Sequence, residues 1–242
     1  MLFCFSIICG ALLNASFMQK RTALFADHIL HSVFCFPIAL ISLWFLQYYY
    51  RHDPMIFFVL HTALCLIVFL TDFPRLRPKA ASEDSPECLY RELEQLAVCF
   101  LECSSIVLSM LIGGAPLAIL TSWLCAAASS ENIIRRLILF FPARLGAFFL
   151  IITSGLLHYD FRNGRHVYQR DRSKRIDSGV GHILSAYAGC LHLCFPTANN
   201  GMIGNVDRTP HASDIPTMSH ICFYSLLFML LMGCFIRLTF LL

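Results

Sequence analysis

Three groups of residues in this 242-residue sequence have chemistry beyond packing: charges inside apolar runs, histidines, and cysteines. Arg144 stands about ten positions into the apolar run IIRRLILFFPARLGAFFLIITSGLL that begins at Ile133. An arginine at the middle of a membrane-crossing helix costs roughly 2.5–3.5 kcal/mol on insertion scales, so such a residue faces protein or water and has a partner. Glu102 is the acid well inside an apolar run, six positions past Leu96. The pair Arg144 and Glu102 is therefore the candidate intramembrane charge system. Its expected forms are a structural pairing, an arginine held by backbone carbonyls, or a substrate or ion pathway.

The histidines form the second group. Imidazole nitrogens at equal depth on facing helices hold a b-type haem as axial ligands. His61 and His192 fall about 10 and 6 Å from one membrane boundary by helical rise. At the opposite boundary His31 or His182 could face His158. His61, His192, His158 and His31 are thus the haem candidates, and haem b is the alternative to a chain with no cofactor. His158-Tyr159-Asp160-Phe161-Arg162-Asn163-Gly164-Arg165-His166 partly resembles the membrane-anchor cytochrome b subunit of succinate dehydrogenase. In that family a haem-ligand histidine closes a span ahead of a Gly-x-Arg-His motif. Here the glycine abuts the arginine, the histidine spacing is one longer, and the family has three spans. The resemblance implies a membrane cytochrome or quinone-reactive subunit, and it covers nine residues.

Other constellations are incomplete. Asp27-His28-Ile29-Leu30-His31 puts two histidines on one helix face, but no third metal ligand is assignable. No phosphate-binding glycine loop, serine elbow or helical His-Glu-x-x-His occurs. Of twelve cysteines, eleven lie in apolar runs and only Cys88 sits in a polar loop, so they read as small buried apolar residues. No catalytic residue is assigned, and the expectation leans away from an enzyme.

The elements that carry these residues follow from composition. The chain is 57% apolar and 14% charged, with a mean hydropathy of +0.67, against about 25% charged in soluble domains. Uncharged runs of roughly 18 to 29 residues recur along its length, and a spanning helix needs about 20. The expected fold is an all-α, multi-pass transmembrane helical bundle over 1–242, a single integral membrane domain with polar loops at 71–95, 160–178 and 197–217. Seven spans are expected, within a range of five to eight: 2–18, 29–50, 55–70, 96–128, 133–157, 179–196 and 221–242. Ser85-Pro86-Glu87 reads as a helix start, with a capping serine, a first-turn proline and an acid at the positive helix end.

The fourth run is the ambiguous one. Its 33 residues would reach about 50 Å as a straight helix, beyond a core of about 30 Å, and Gly113-Gly114-Ala115-Pro116 interrupts it. It is either two tight spans or one span with a re-entrant piece. Lysine and arginine accumulate on the inner side of membranes. With one span here, successive loops carry two, one, four, two, six and one cations, which places twelve on one side and four on the other. Splitting the run gives nine against seven. The charge bias favours one span, an outside N-terminus and a C-terminus at the inner face, with the six cations of 162–175 anchoring the orientation.

These features suggest a membrane protein without its own catalytic site: a packing subunit of a membrane complex, or a small transporter or channel-like component. Its expected partners are membrane lipids and other membrane subunits. A formal charge of +3 without a clustered basic surface gives no reason to expect nucleic acid. The alternatives are the membrane cytochrome or quinone-reactive subunit and, from span count alone, a seven-span receptor.

Overall fold

The computed structural model describes residues 41, 44, 48, 52–53, 55–56, 59–65, 86–127, 133–174, 179–197, 201–205 and 208–240. It is mostly helical, with helices α1 (Pro86–Ala127), α2 (Ile133–Leu156), α3 (Phe161–Asp171), α4 (Val180–Cys190) and α5 (Asp214–Phe240), and strands β1 (Cys194–Pro196) and β2 (Met202–Gly204). Two compact units emerge. The first combines Met1–Pro74, Ile106–Ser129 and Leu230–Leu242; the second combines Arg75–Ser105 and Ser130–Met229.

Among the described residues three helices are long and apolar enough to cross a membrane: Pro86–Cys125, Arg135–Leu156 and Asp214–Ile236. That is the supported part of the multi-span reading. The first run and His31 lie outside the described residues, and the second and third runs are described only in part.

In the first unit, α1 breaks at Gly114, whose φ of 77° and ψ of −168° belong to a region that only glycine adopts readily. Thr121 Oγ1 lies 2.7 Å from Ser109 Oγ while also donating to Leu117 O at 2.8 Å. Twelve residues along a straight helix cover about 18 Å, so the chain must double back at Gly114. The 33-residue run is therefore a helical hairpin broken at Gly114 and not one straight helix. The arm beyond the turn, from Ala115 to Ala127, is about 20 Å long and too short for a bilayer core of about 30 Å. Met110, Ala115, Ala118 and Ile119 are buried in this unit.

The second unit packs α2, α3 and α4 around Phe100 and Tyr187, both essentially inaccessible and in edge-to-face contact at 6.5 Å. Gly146 of α2 admits Ser104 and Phe100 closely. Tyr187 Oη and Cys222 Sγ share a short buried hydrogen bond. At the α3–α4 crossing, a Cβ on Gly189 would stand 2.6 Å from Gly164 Cα and 2.7 Å from Asn163 O, so the two backbones touch there.

Two further expectations change in this unit. The sixth run, 179–196, does not span as a helix: α4 has eleven residues, about 16 Å or half a bilayer core. It then turns into β1, which pairs antiparallel with β2 in the register Cys194↔Gly204, Phe195↔Ile203, Pro196↔Met202. The fold is therefore not purely α, and the expected polar loop 197–217 holds a strand and the start of α5. The expected polar loop 160–178 contains helix α3. Asp160 caps it, its side chain accepting the Asn163 amide at 3.0 Å. Gly164, Val167 and Asp171 form the buried face, while the arginines point outward.

Candidate functional site

The expected intramembrane charges separate. Glu102 pairs with Arg135, not Arg144, at 2.5 Å, and both side chains are largely buried. Arg144 is exposed on α2. Its guanidinium folds back, donating to Phe140 O at 2.9 Å and lying 3.6 Å from the centre of the Phe140 ring. This is the arginine held by a backbone carbonyl, with cation–π contact as a second support. The surrounding face is apolar: Leu137, Phe140, Phe141 and Phe148 are all exposed.

One turn into α4, on the other side of a close contact between Gly179 and Ala143, stands His182. Its Nδ1 is 3.1 Å from Tyr168 Oη of α3, and the Arg172 guanidinium lies 5.8 Å from the Tyr168 ring centre. Burial, together with the charges of Arg144 and Arg172, pushes His182 down to about 4, so it is neutral at pH 7. Helices α3 and α4 thus bring the Arg172 guanidinium, a phenol and a neutral imidazole together. No acid in an ion pair with Arg144 or Arg172 is found among the described residues. Tyr168 and Arg172 escaped sequence reading because their convergence with His182 depends on α3 running back beside α4.

A second polar cluster occupies the opposite end of α3. Asn163 donates to Gly189 O at 2.7 Å and lies 3.3 Å from His192 Nδ1. His192 Nε2 is 3.5 Å from Asp160 Oδ2. Beneath them, burial pushes the Cys190 thiol up to about 11, which removes it as a nucleophile near neutral pH.

A third set ties α3 to the β-hairpin. Asp171 is fully buried. It accepts from Arg170 Nε at 2.8 Å, Arg170 Nη2 at 2.8 Å, Lys174 Nζ at 2.7 Å and the Gly204 amide at 2.9 Å. Burial opposes its ionisation. The bonds from Arg170, Lys174 and Gly204 outweigh that and hold its carboxyl well below the usual range. A basic residue on each side of Asp171 was the available sequence signal.

The haem candidates are placed as follows. His61 is buried in the first unit, where Nε2 accepts the Ala115 amide at 3.3 Å and Nδ1 is 3.6 Å from Cys65 Sγ. It satisfies the first amide after the break at Gly114, and Pro116 removes the need for the next. His158 and His192 lie in the second unit, each at a helix end with a positive φ, 65° and 54°. At α2 the Tyr159 amide bonds Ser154 O at 2.8 Å and the His158 amide bonds Gly155 O at 3.2 Å. This is a Schellman motif with histidine where glycine is usual. At α4 the Leu193 amide bonds Ala188 O at 2.9 Å in the same manner. Both histidines thus hold helix-terminating positions. The described residues do not bring His61 opposite a second histidine within its unit. No group of three or more histidine, cysteine or acidic residues that could hold a metal occurs among the described residues.

No protein-family model, curated protein or solved structure matches this chain.

Proposed function

We propose that this chain is a non-enzymatic, multi-pass integral membrane protein serving as a packing subunit of a membrane complex. One observation carries the reading: its long helices present large apolar side chains outward. On α2, Leu137 is 71% exposed and Phe148 58%; on α5, Phe235 is 61% exposed and Ile236 50%. Contiguous outward apolar faces of this kind are stable against lipid or partner helices and not against water.

The finer topology belongs to the same proposal. We retain the outside N-terminus and place the basic helix α3 on the inner side, as the charge bias suggests. With 179–196 no longer spanning, the count is one fewer than seven and the C-terminus moves to the outer face. The short arm of the α1 hairpin is then re-entrant. The receptor alternative rested on seven spans and loses its basis.

The test is the size of the assembly in mild detergent. A particle well above the 27.4 kDa chain, with defined partner proteins at fixed stoichiometry, supports a packing subunit. A monomer or homo-oligomer without partners contradicts it. A small transporter or channel-like component is the second reading, favoured by the break at Gly114. Half-helix ends inside membranes are where transporters and channels place their ligand sites. Solute flux by the purified chain alone in liposomes would select this reading.

A further inference from the structure

We propose that the basic face of α3 docks an acidic segment of a partner subunit, at a depth in the membrane that lipid headgroups do not reach. The inference deepens the packing-subunit reading above and rests on it.

The face follows from the helix itself. Arg162, Arg165, His166, Gln169 and Arg172 are all exposed, and steps of three and four place them along one side of a helix. Gly164, Val167 and Asp171 form the other side, which is buried. Arg162, Arg165 and Arg172 have no ion pair among the described residues. The acids nearest to them are engaged elsewhere. Asp171 is turned inward, where Arg170, Lys174 and the Gly204 amide hold it. Asp160 accepts the Asn163 amide with one oxygen and lies 3.5 Å from His192 with the other. The face therefore presents three guanidinium groups without a counter-charge.

Packing within the unit fixes how deep that face lies. Helix α4 runs beside α2 in the same direction: Gly179 abuts Ala143, and Ile183 stands against Gly146. Helix α3 runs back along α4, with Gly164 against Gly189 and Tyr168 Oη 3.1 Å from His182 Nδ1. It starts with Phe161 against Gly155 of α2. Thus α3 leaves the end of α2 and returns to about the level of Gly146. The apolar span Arg135–Leu156 is about 33 Å long, which matches a bilayer core of about 30 Å. Gly146 then lies about 15 Å inside its end, near mid-depth.

Lipid is the wrong cover for this surface. Guanidinium groups against hydrocarbon are among the costliest placements in a membrane, and intramembrane cations pair with acids instead. The β-hairpin runs along the same helix, with the Gly204 amide on Asp171 and Asn205 Nδ2 3.4 Å from Asn163 Oδ1. An open two-stranded sheet also needs protein or water beside it at that depth. Carboxylates of a partner meet the requirement. Arginine binds a carboxylate through two parallel N–H···O bonds, and acids at helical spacing on a partner recur at the interval of these arginines.

The test uses the full-length protein in native membranes, with Gln169 replaced by the photocrosslinker benzoylphenylalanine. Irradiation should join it to a different polypeptide, at a segment that peptide mapping shows to carry Asp or Glu at helical spacing. R162E/R165E should lower that crosslink, and the amount of the same polypeptide retained in mild detergent, by about tenfold or more. R162K/R165K should keep a substantial part of both. A crosslink to lipid alone, to another copy of this chain or to a segment without acids overturns the proposal, as does undiminished retention by R162E/R165E. Reaction of Q169C in the intact complex with a charged, membrane-impermeant thiol reagent also overturns it, because water then covers the face. A melting temperature of R162E/R165E close to that of the wild type separates lost docking from lost folding; if that variant unfolds, R162Q and R165Q are measured singly against the same criteria. Partner retention separates the two layers of inference. Partners that stay with the wild type and with R162E/R165E alike refute this face alone, whereas a wild type that extracts without partners refutes the packing-subunit reading itself.

Discussion

The turn at Gly114 makes a geometric prediction with a wide margin. Ser109 and Thr121 are twelve residues apart, and their side-chain oxygens lie 2.7 Å from one another. In a continuous helix their Cα atoms would be about 18 Å apart, whereas a disulfide requires less than about 7 Å. Replacing both in the variant S109C/T121C should therefore give an intramolecular disulfide under mild oxidation of intact membranes. Peptide mapping by mass spectrometry after alkylation identifies the bond against the native cysteines, several of which lie in the same hairpin. A control pair on one arm, S109C with Ile112→Cys, reports background reactivity of adjacent helical positions. Efficient 109–121 crosslinking is expected, and it should fall when Gly114→Val forces a non-glycine residue into φ 77°. Two free thiols at positions 109 and 121 under conditions that oxidise a surface pair would refute the hairpin and restore a straight span.

Further predictions concern the second unit. Asp171→Ala removes a fully buried carboxylate with charge-assisted bonds to Arg170 and Lys174 and one bond to a buried amide. Because Arg170 and Lys174 are 42% and 40% exposed and can return to water, the loss should be about 2–3 kcal/mol, smaller than for a fully interior pair. Its carboxyl is lowered below the ordinary value of 3.8. This stabilisation is therefore complete above that value and fades as pH falls below about 4; a melting profile of wild type and variant that runs parallel through that window would contradict the assignment. His158→Gly should raise thermal stability, by about 1 kcal/mol, because it relieves a left-handed residue whose side chain makes no polar contact among the described residues. His192→Gly should gain less, since His192 also meets Asp160 and Asn163; equal gains at both positions would show those contacts to be inert. Gly189→Ala, whose Cβ meets the backbone of Gly164 and Asn163, should separate α3 from α4 and cost about 1–3 kcal/mol, read as a lowered melting temperature in detergent.

Much of the helical framework was legible from residue order. The Ser85-Pro86-Glu87 start coincides with the beginning of α1 at Pro86, and the apolar run from Ile133 coincides with α2. The break at Gly113-Gly114-Ala115-Pro116 was also visible, but the choice between its outcomes was not. That choice leaned on the loop charge count, to which the six cations of 162–175 contribute most. Arg170 and Lys174 are engaged by Asp171 in holding α3 to the β-hairpin, and such tertiary use leaves no trace in a loop count. Lack of charge over 179–196 was read as a span, although the run is uncharged because α4 is buried within its unit on nearly every side. Burial by protein and burial by lipid select the same residue types, so only helix length separates them.

The partners of the functional candidates were the least legible. Glu102 meets Arg135, 33 positions away, because both ends of the hairpin-containing segment return to one unit. His158 and His192 drew attention as ligands, yet each holds the left-handed residue that ends a helix. Histidine is only moderately disfavoured there, and sequence spacing does not reveal a positive φ.

The measurement closest to the central claim is the partition of the full-length protein after alkaline carbonate treatment of native membranes, followed by detergent extraction. A protein with the outward apolar faces of α2 and α5 should stay entirely with the membrane pellet through carbonate and be released only by detergent. Recovery in the carbonate supernatant as a folded, soluble species would contradict the integral membrane reading, and the packing-subunit proposal with it.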